Sequence, residues 1–367
     1  MMLAIVFGAV AAAAFVLHWI GMRAPSLRTI VFELLARIKG IPVVWIDEPA
    51  LAAVVLKASS IKGEFLERTF STPAWAPVIS MESVDDPDWT DMKLHLVTLM
   101  KALPPTTQLE EIAHRVTQDY MAKHDRVDAN GLVWISIATF YEWIFQRPFP
   151  TSCMFVCDAT WEWRKQIAIK GQGDMALKLR TVEWIVDEVQ NTPELHCLFG
   201  DAWREPACYS LLLQPFFISP AINISDIAVT IQKLHRPDIP LATTINLAID
   251  TAHPFVLLER YLEHGVSDPL IEIAPGTHAF IPVDVMTTDS VIRFGAGPRK
   301  CPGAQVAMAC MAGIFTRDLV ESPKFQPSVG HLYSGRDQDG QETICETLYQ
   351  VTQVLKACWQ SFLQRIK

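Results

Sequence analysis

The run from residue 293 to 312, RFGAGPRKCPGAQVAMACMA, holds the residues whose types and order are best suited to chemistry. Gly295 and Gly297 let a backbone loop turn tightly and approach a flat surface closely. Pro302 is favoured in a first helical turn, so the run predicts a helix starting at the cysteine. Cys301 then sits at a helix N-terminus, where the macrodipole and free N–H groups favour a thiolate. Arg299, two residues before it, can meet an anionic group. A thiolate shielded by the Phe294 ring on a glycine loop is a sound axial ligand for haem iron. The competing reading is a reactive or structural cysteine on a glycine-rich turn. A dinucleotide site is excluded, because Gly295-x-Gly297 lacks the third glycine and the strand-to-helix unit.

The pattern Phe294-Gly295-x-Gly297-x-Arg299-x-Cys301-x-Gly303 resembles the haem-binding loop of the cytochrome P-450 superfamily, with all six characteristic positions present. The resemblance implies haem b (iron protoporphyrin IX) as cofactor and Cys301 as its proximal ligand and the central catalytic residue. It also implies that Phe294 packs beside the sulfur, that Arg299 contacts a haem propionate, and that Gly295, Gly297 and Gly303 complete the cofactor loop. Upstream, LIEIAPGTHAFIP resembles the Pro-Gly-Thr turn between short strands that family members carry before this loop. Trp89 and Lys93 stand four apart on one helix face, where the family often has Trp and Arg on the propionates. Lys93 keeps the charge without the guanidinium fork, and a surface cation beside a half-buried ring is the alternative.

The chain departs from the family in several places. The family's K helix carries Glu-x-x-Arg followed by a His-Pro or Pro-Pro turn. Here His253-Pro254 marks the turn, which puts Leu247 and Asp250 at the paired positions, so that pair is lost. Arg260, a little downstream, offers a replacement cation. Ala248-Ile249-Asp250-Thr251 also imitates the acid-alcohol motif of the family's I helix. Only 50 residues separate Thr251 from Cys301, however, so the K-helix reading of that segment is preferred. The better distal helix is 211–234, with Asn223, Ser225 and Asp226 as polar groups that either line the open face of the iron or cap a Pro-broken helix. The chain is short for the superfamily, and no Pro-Glu-Arg-Phe-like signature stands between Pro282 and Arg293.

These residues need a scaffold, and the signals are mostly helical. Apolar residues recur at helical spacing over 128–145 and 175–189. Residues 83–88 read as a loop ahead of a helix, and 211–234 as a long apolar stretch broken by Pro215 and Pro220. Residues 270–285 alternate and turn at Pro275-Gly276, which suits two short strands. From Gln341 onward an amphipathic helix is expected. The expected fold class is mainly α with a small β region, a truncated cytochrome P-450-like haem-thiolate fold plus an N-terminal membrane anchor.

The first 22 residues contain no Lys, Arg, Asp or Glu, enough apolar chain to cross a bilayer. Arg23 and Arg28 follow it and hold the rest on the cytoplasmic side. The expected organisation is therefore a transmembrane anchor over 1–22 and a haem domain over 23–367, single-pass in the endoplasmic reticulum with a cytosolic body. A buried core helix or a signal peptide is the alternative for the first segment. A net charge of -9 with no basic stripe argues against nucleic-acid binding. His-Glu-x-x-His, Cys-x-x-Cys and Gly-x-Ser-x-Gly are all missing from the sequence. The resemblance implies monooxygenation of a lipophilic small molecule, in secondary metabolism, with electrons from an NADPH-dependent reductase. Two alternatives stay open: a haem-thiolate isomerase, dehydratase or cyclase needing no external electrons, and a decayed, non-catalytic family member.

Overall fold

The computed structural model describes residues 30–327, apart from 31–32, 34–35, 64, 66–74, 168–172, 252–256, 284–285 and 287–291. The expected anchor over 1–22 and the amphipathic helix beyond Gln341 lie outside the described residues. The helical body comprises α2 (Asp88–Ala102), α3 (Thr106–Lys123), α4 (Ala129–Phe145), α5 (Phe155–Ile167) and α6 (Met175–Gln190); α1 (Pro49–Ala58) lies ahead of it in the chain. Sequence periodicity located α4 and α6, and each begins on a capping aspartate. Asp128 accepts from the Gly131 amide at 3.0 Å and Asp174 from the Leu177 amide at 3.1 Å, satisfying N–H groups that a helix start leaves free. The body encloses one large apolar core in which Trp143, Trp163, Phe140 and Phe216 are fully buried.

The long apolar stretch is one continuous helix rather than a broken one. It runs as α7 (Pro206–Leu212), a π-helical segment (Leu213–Ile218) and α8 (Ser219–Leu234). Pro215 has no N–H to donate four residues back, and its ring would clash with that carbonyl in an α-helix. The wider π turn relieves both conflicts and keeps the helix going. Pro220 falls in the first turn of α8, where a proline is tolerated. Among the described residues this is the one helix long and apolar enough to cross a membrane, and its apolar window is mostly buried in the protein.

After residues 235–240 the chain enters α9 (Leu241–Thr251) and then the β region. Here the sequence located the strands but not their partners. β4 (Ile271–Ile273) and β5 (Thr277–Ile281) flank the Pro275-Gly276 turn, yet they join different sheets. β4 pairs antiparallel with β3 (Val266–Asp268), while β5 lies between β1 (Val43–Trp45) and β2 (Leu258–Leu262). In β2 two buried charges alternate: Glu259 meets His278 at 2.6 Å, and Arg260 turns to the opposite face. The helix after the cysteine loop, α10 (Ala304–Ile314), crosses α3 so closely that a Cβ on Gly313 would lie 2.3 Å from the Glu110 carbonyl.

One buried cation lies away from all of this. The Lys178 side chain on α6 is fully buried, with its ammonium 5.5 Å from the Trp163 ring, and burial pulls its pKa down to about 8. A lysine whose folded pKa falls below its unfolded value costs stability while charged, and the cost fades as pH rises from about 8 toward 10.5. The melting temperature of the wild type is therefore expected to gain on that of Lys178→Met as pH rises from about 8 to about 10. Melting curves across that range check it; a constant gap would contradict it.

Candidate active site

Between the helical body and the small sheets lies a cavity whose lining includes Cys301. The cysteine loop is built by local bonds. The Cys301 amide donates to the Phe294 carbonyl at 2.8 Å, the Gly295 amide to Ile292 at 2.8 Å, and the Lys300 amide to Gly297 at 3.1 Å. Gly297 has a φ of 67°, and a Cβ there would lie 2.3 Å from the Leu56 carbonyl at the end of α1. The close approach seen at Gly297 is to the backbone of α1, not the approach to a flat surface expected of the glycines. Gly303 lies just under the sulfur: a Cβ there would stand 3.9 Å from it.

Helix α10 begins at Ala304, so Cys301 precedes it by a Pro302-Gly303 turn rather than opening it. The side chain is exposed to the cavity, yet walled by protein on its other sides. That enclosure pushes the thiol pKa up; the Gly303 amide offsets part of the rise and Glu82 adds to it. The helix field therefore does not hold a thiolate alone. A metal ion coordinated by this sulfur would supply the charge that deprotonates it.

Cations gather at one end of the cavity. Arg299 is buried and spends its guanidinium on the protein, donating to the carbonyls of Ser60, Met81 (3.2 Å) and Val84 (2.8 Å) and pairing with Asp85. Trp89, nearly buried on α2, is held between two cations. The Lys93 ammonium lies 4.7 Å from its ring and the Arg299 guanidinium 4.6 Å. Lys93 also donates to the Pro298 carbonyl of the cysteine loop at 2.7 Å. Trp89, Lys93, Phe294, Gly295, Arg299, Cys301 and Gly303 all line the one cavity.

Arg260 differs from its neighbours. It is only 2% exposed, lines the cavity, and donates to its own strand at the Glu259 carbonyl (2.7 Å), while its buried Nε has no partner among the described residues. Burial pulls its pKa down to about 10; Glu82 opposes the shift and Arg299 adds to it. A buried guanidinium with an idle donor calls for an anion. A flat, largely apolar group carrying carboxylates and needing one thiolate ligand fits these features, and haem is such a group.

The distal wall comes from the π segment and α8. Asn223 lines the cavity, whereas Ser225 and Asp226 do not. Successive helix residues rotate by about 100°, so these two face elsewhere. Ser225 is buried within the helical body, and Asp226 pairs with Arg164. Gln214 and Ser219, which sequence reasoning missed, stand on the cavity side instead, with the Gln214 amide donating to the Ser219 hydroxyl at 3.2 Å. Their signal was the two flanking prolines, read as breaks instead of as a widened turn.

The helical ion pair that the sequence lacks at Leu247 and Asp250 has a partial substitute. Leu247 is exposed, as an unpaired position would be, but Asp250 is not left without a cation. Arg293, immediately before Phe294, pairs with it. Arg293 therefore supplies the expected replacement cation, and Arg260 stays in the cavity.

The architecture is the cytochrome P-450 fold. Solved structures of that fold cover most of the chain. CYP175A1 from Thermus thermophilus has a TM-score of 0.54 at 16% identity, over 81% of this chain and 89% of its own. A cytochrome P-450 from the archaeon Picrophilus torridus has a TM-score of 0.53 at 13% identity, over 77% and 91%. CYP109E1 from Bacillus megaterium, solved in complex with testosterone, has a TM-score of 0.51 at 13% identity, over 80% and 93%. No family model and no curated protein matches the sequence.

Proposed function

We propose that the chain is a haem-thiolate protein of the cytochrome P-450 type, with Cys301 as the iron ligand, and that it oxidises a lipophilic small molecule. The observation that carries this reading is a cysteine open to a cavity whose lining also holds a buried arginine with an idle donor. Arg260 and Lys93 would hold the propionates, Phe294 and Gly303 flank the sulfur, and Trp89 closes the cationic end. When bound, the haem supplies redox chemistry in which a thiolate ligand favours O–O cleavage. The protein's part is to exclude water and orient the substrate. Leu96, Phe140, Phe216, Ile224 and Ile249 give the cavity apolar walls suited to a lipophilic guest. An NADPH-dependent reductase, attachment to the endoplasmic reticulum membrane through residues 1–22, and a place in secondary metabolism belong to the same proposal.

One observation favours a second reading. Among the described residues, the one carboxylate in the lining, Glu82, lies on another segment, while the π segment and α8 offer the cavity no carboxylate but two amides and a hydroxyl, Gln214, Asn223 and Ser219. Those groups can bind and orient an oxygenated substrate, but they are poor proton donors. They suit a haem-thiolate isomerase, dehydratase or cyclase that needs no external electrons. Product formation with and without reductase and NADPH separates the two. The monooxygenase reading expects turnover to stop when either is omitted, and unchanged turnover overturns it.

A further inference from the structure

Asn246 and Asp250 stand one turn apart on α9 and share a face. Both turn onto Arg293. Its Nε and Nη2 each donate to one Asp250 carboxylate oxygen at 2.6 Å, and Nη1 donates to the Asn246 side chain. The two charged side chains are only 17% and 10% exposed. A bidentate guanidinium–carboxylate pair fixes orientation as well as distance, and this one is screened little by water.

Arg293 is the residue before Phe294, and the Phe294 carbonyl receives the Cys301 amide. Whatever fixes Arg293 therefore fixes the strand of loop against which the cysteine is folded. At the other end of the loop, Arg299 ties to Asp85 and the residues around it. The loop is strapped at both ends, to α9 by one arginine and to the 60–85 segment by the other.

We propose that Asp250 and Arg293 are positioning residues that hold the Cys301 loop in register for iron. Their bridge runs from a helix to the loop, with the acid on the helix and the arginine beside the aromatic residue. The proposal rests on the haem-thiolate reading. Groups that orient a metal ligand typically change metal affinity ten- to a hundredfold when removed. The test uses the full chain reconstituted with haemin, in Asp250→Asn, Arg293→Met and the exchanged double variant Asp250→Arg/Arg293→Asp. Both single variants are expected to lose haem to apomyoglobin roughly tenfold faster than the wild type. Their reduced carbon monoxide complexes are expected to shift from the thiolate-type band toward the thiol-type band. The exchanged pair is expected to recover most of the thiolate band, which a loss of general packing would not allow.

Single variants that keep the wild-type band and haem-loss rate overturn the proposal, as does an exchanged pair no better than the singles. Should a single variant fail to fold, Asp250→Glu keeps the charge and is expected to retain the thiolate band, and its loss there counts against the bridge. Hydrogen exchange at the Gly295 and Cys301 amides of the haem-free chain gives an independent reading. Faster exchange in Asp250→Asn than in the wild type supports the bridge, and equal exchange overturns it. A wild type that binds no haem overturns the haem reading instead, and the exchange measurement then decides the bridge alone.

Discussion

Cys301→Ser is expected to abolish the thiolate-type carbon monoxide band and all turnover, while leaving the helical circular dichroism and the melting temperature close to those of the wild type. The side chain is exposed to the cavity rather than built into the core, so its loss removes little packing. The hydrogen bond that its backbone N–H donates to the Phe294 carbonyl does not depend on the side chain, so the loop keeps its path. A hydroxyl is a harder and weaker ligand than a thiolate for this iron. Retained activity or an unchanged band in this variant would remove Cys301 from the chemistry. Loss of the fold would show that the cysteine is structural.

The second large effect is expected at Arg260, and its sign reverses between two measurements. Arg260→Met in the haem-free chain is expected to raise stability by about 1–3 kcal/mol, because replacing a buried charge with an apolar side chain of similar size is neutral or favourable. The orphaned Nε and the pKa pulled down to about 10 both mark a guanidinium held at a cost. In the haem-loaded chain the same variant is expected to release haem roughly tenfold faster or more, since its counter-ion is gone. Thermal melting of the apoprotein and haem transfer to apomyoglobin measure the two halves. A variant less stable without haem and unchanged with it would assign Arg260 to folding. The cavity would then need another explanation for its idle donor.

The parts of the site that were legible in the sequence are those written within a few residues of one another. The loop from Phe294 to Gly303 closes on its own backbone hydrogen bonds, so its order of residues was enough to find it. Trp89 and Lys93 were legible because they stand one helical turn apart, and the ring–cation contact at 4.7 Å follows from that spacing. The bridge between Asp250 and Arg293 was not, because its partners are 43 residues apart and nothing local marks them. The distal residues were misjudged for a geometric reason. Asn223 faces the cavity but Ser225 and Asp226, rotated past it on α8, do not, while the π turn carries Gln214 at the lining with Ser219 just beyond it. The strands around Pro275 were found from alternation, which carries no information about partners, and β4 and β5 went to separate sheets.

The short connection over 235–240 joins the helix that roofs the cavity to the helix that grips Arg293. The two helices also pack against each other, so the wall that meets a guest and the clasp on the cysteine loop belong to one packed pair.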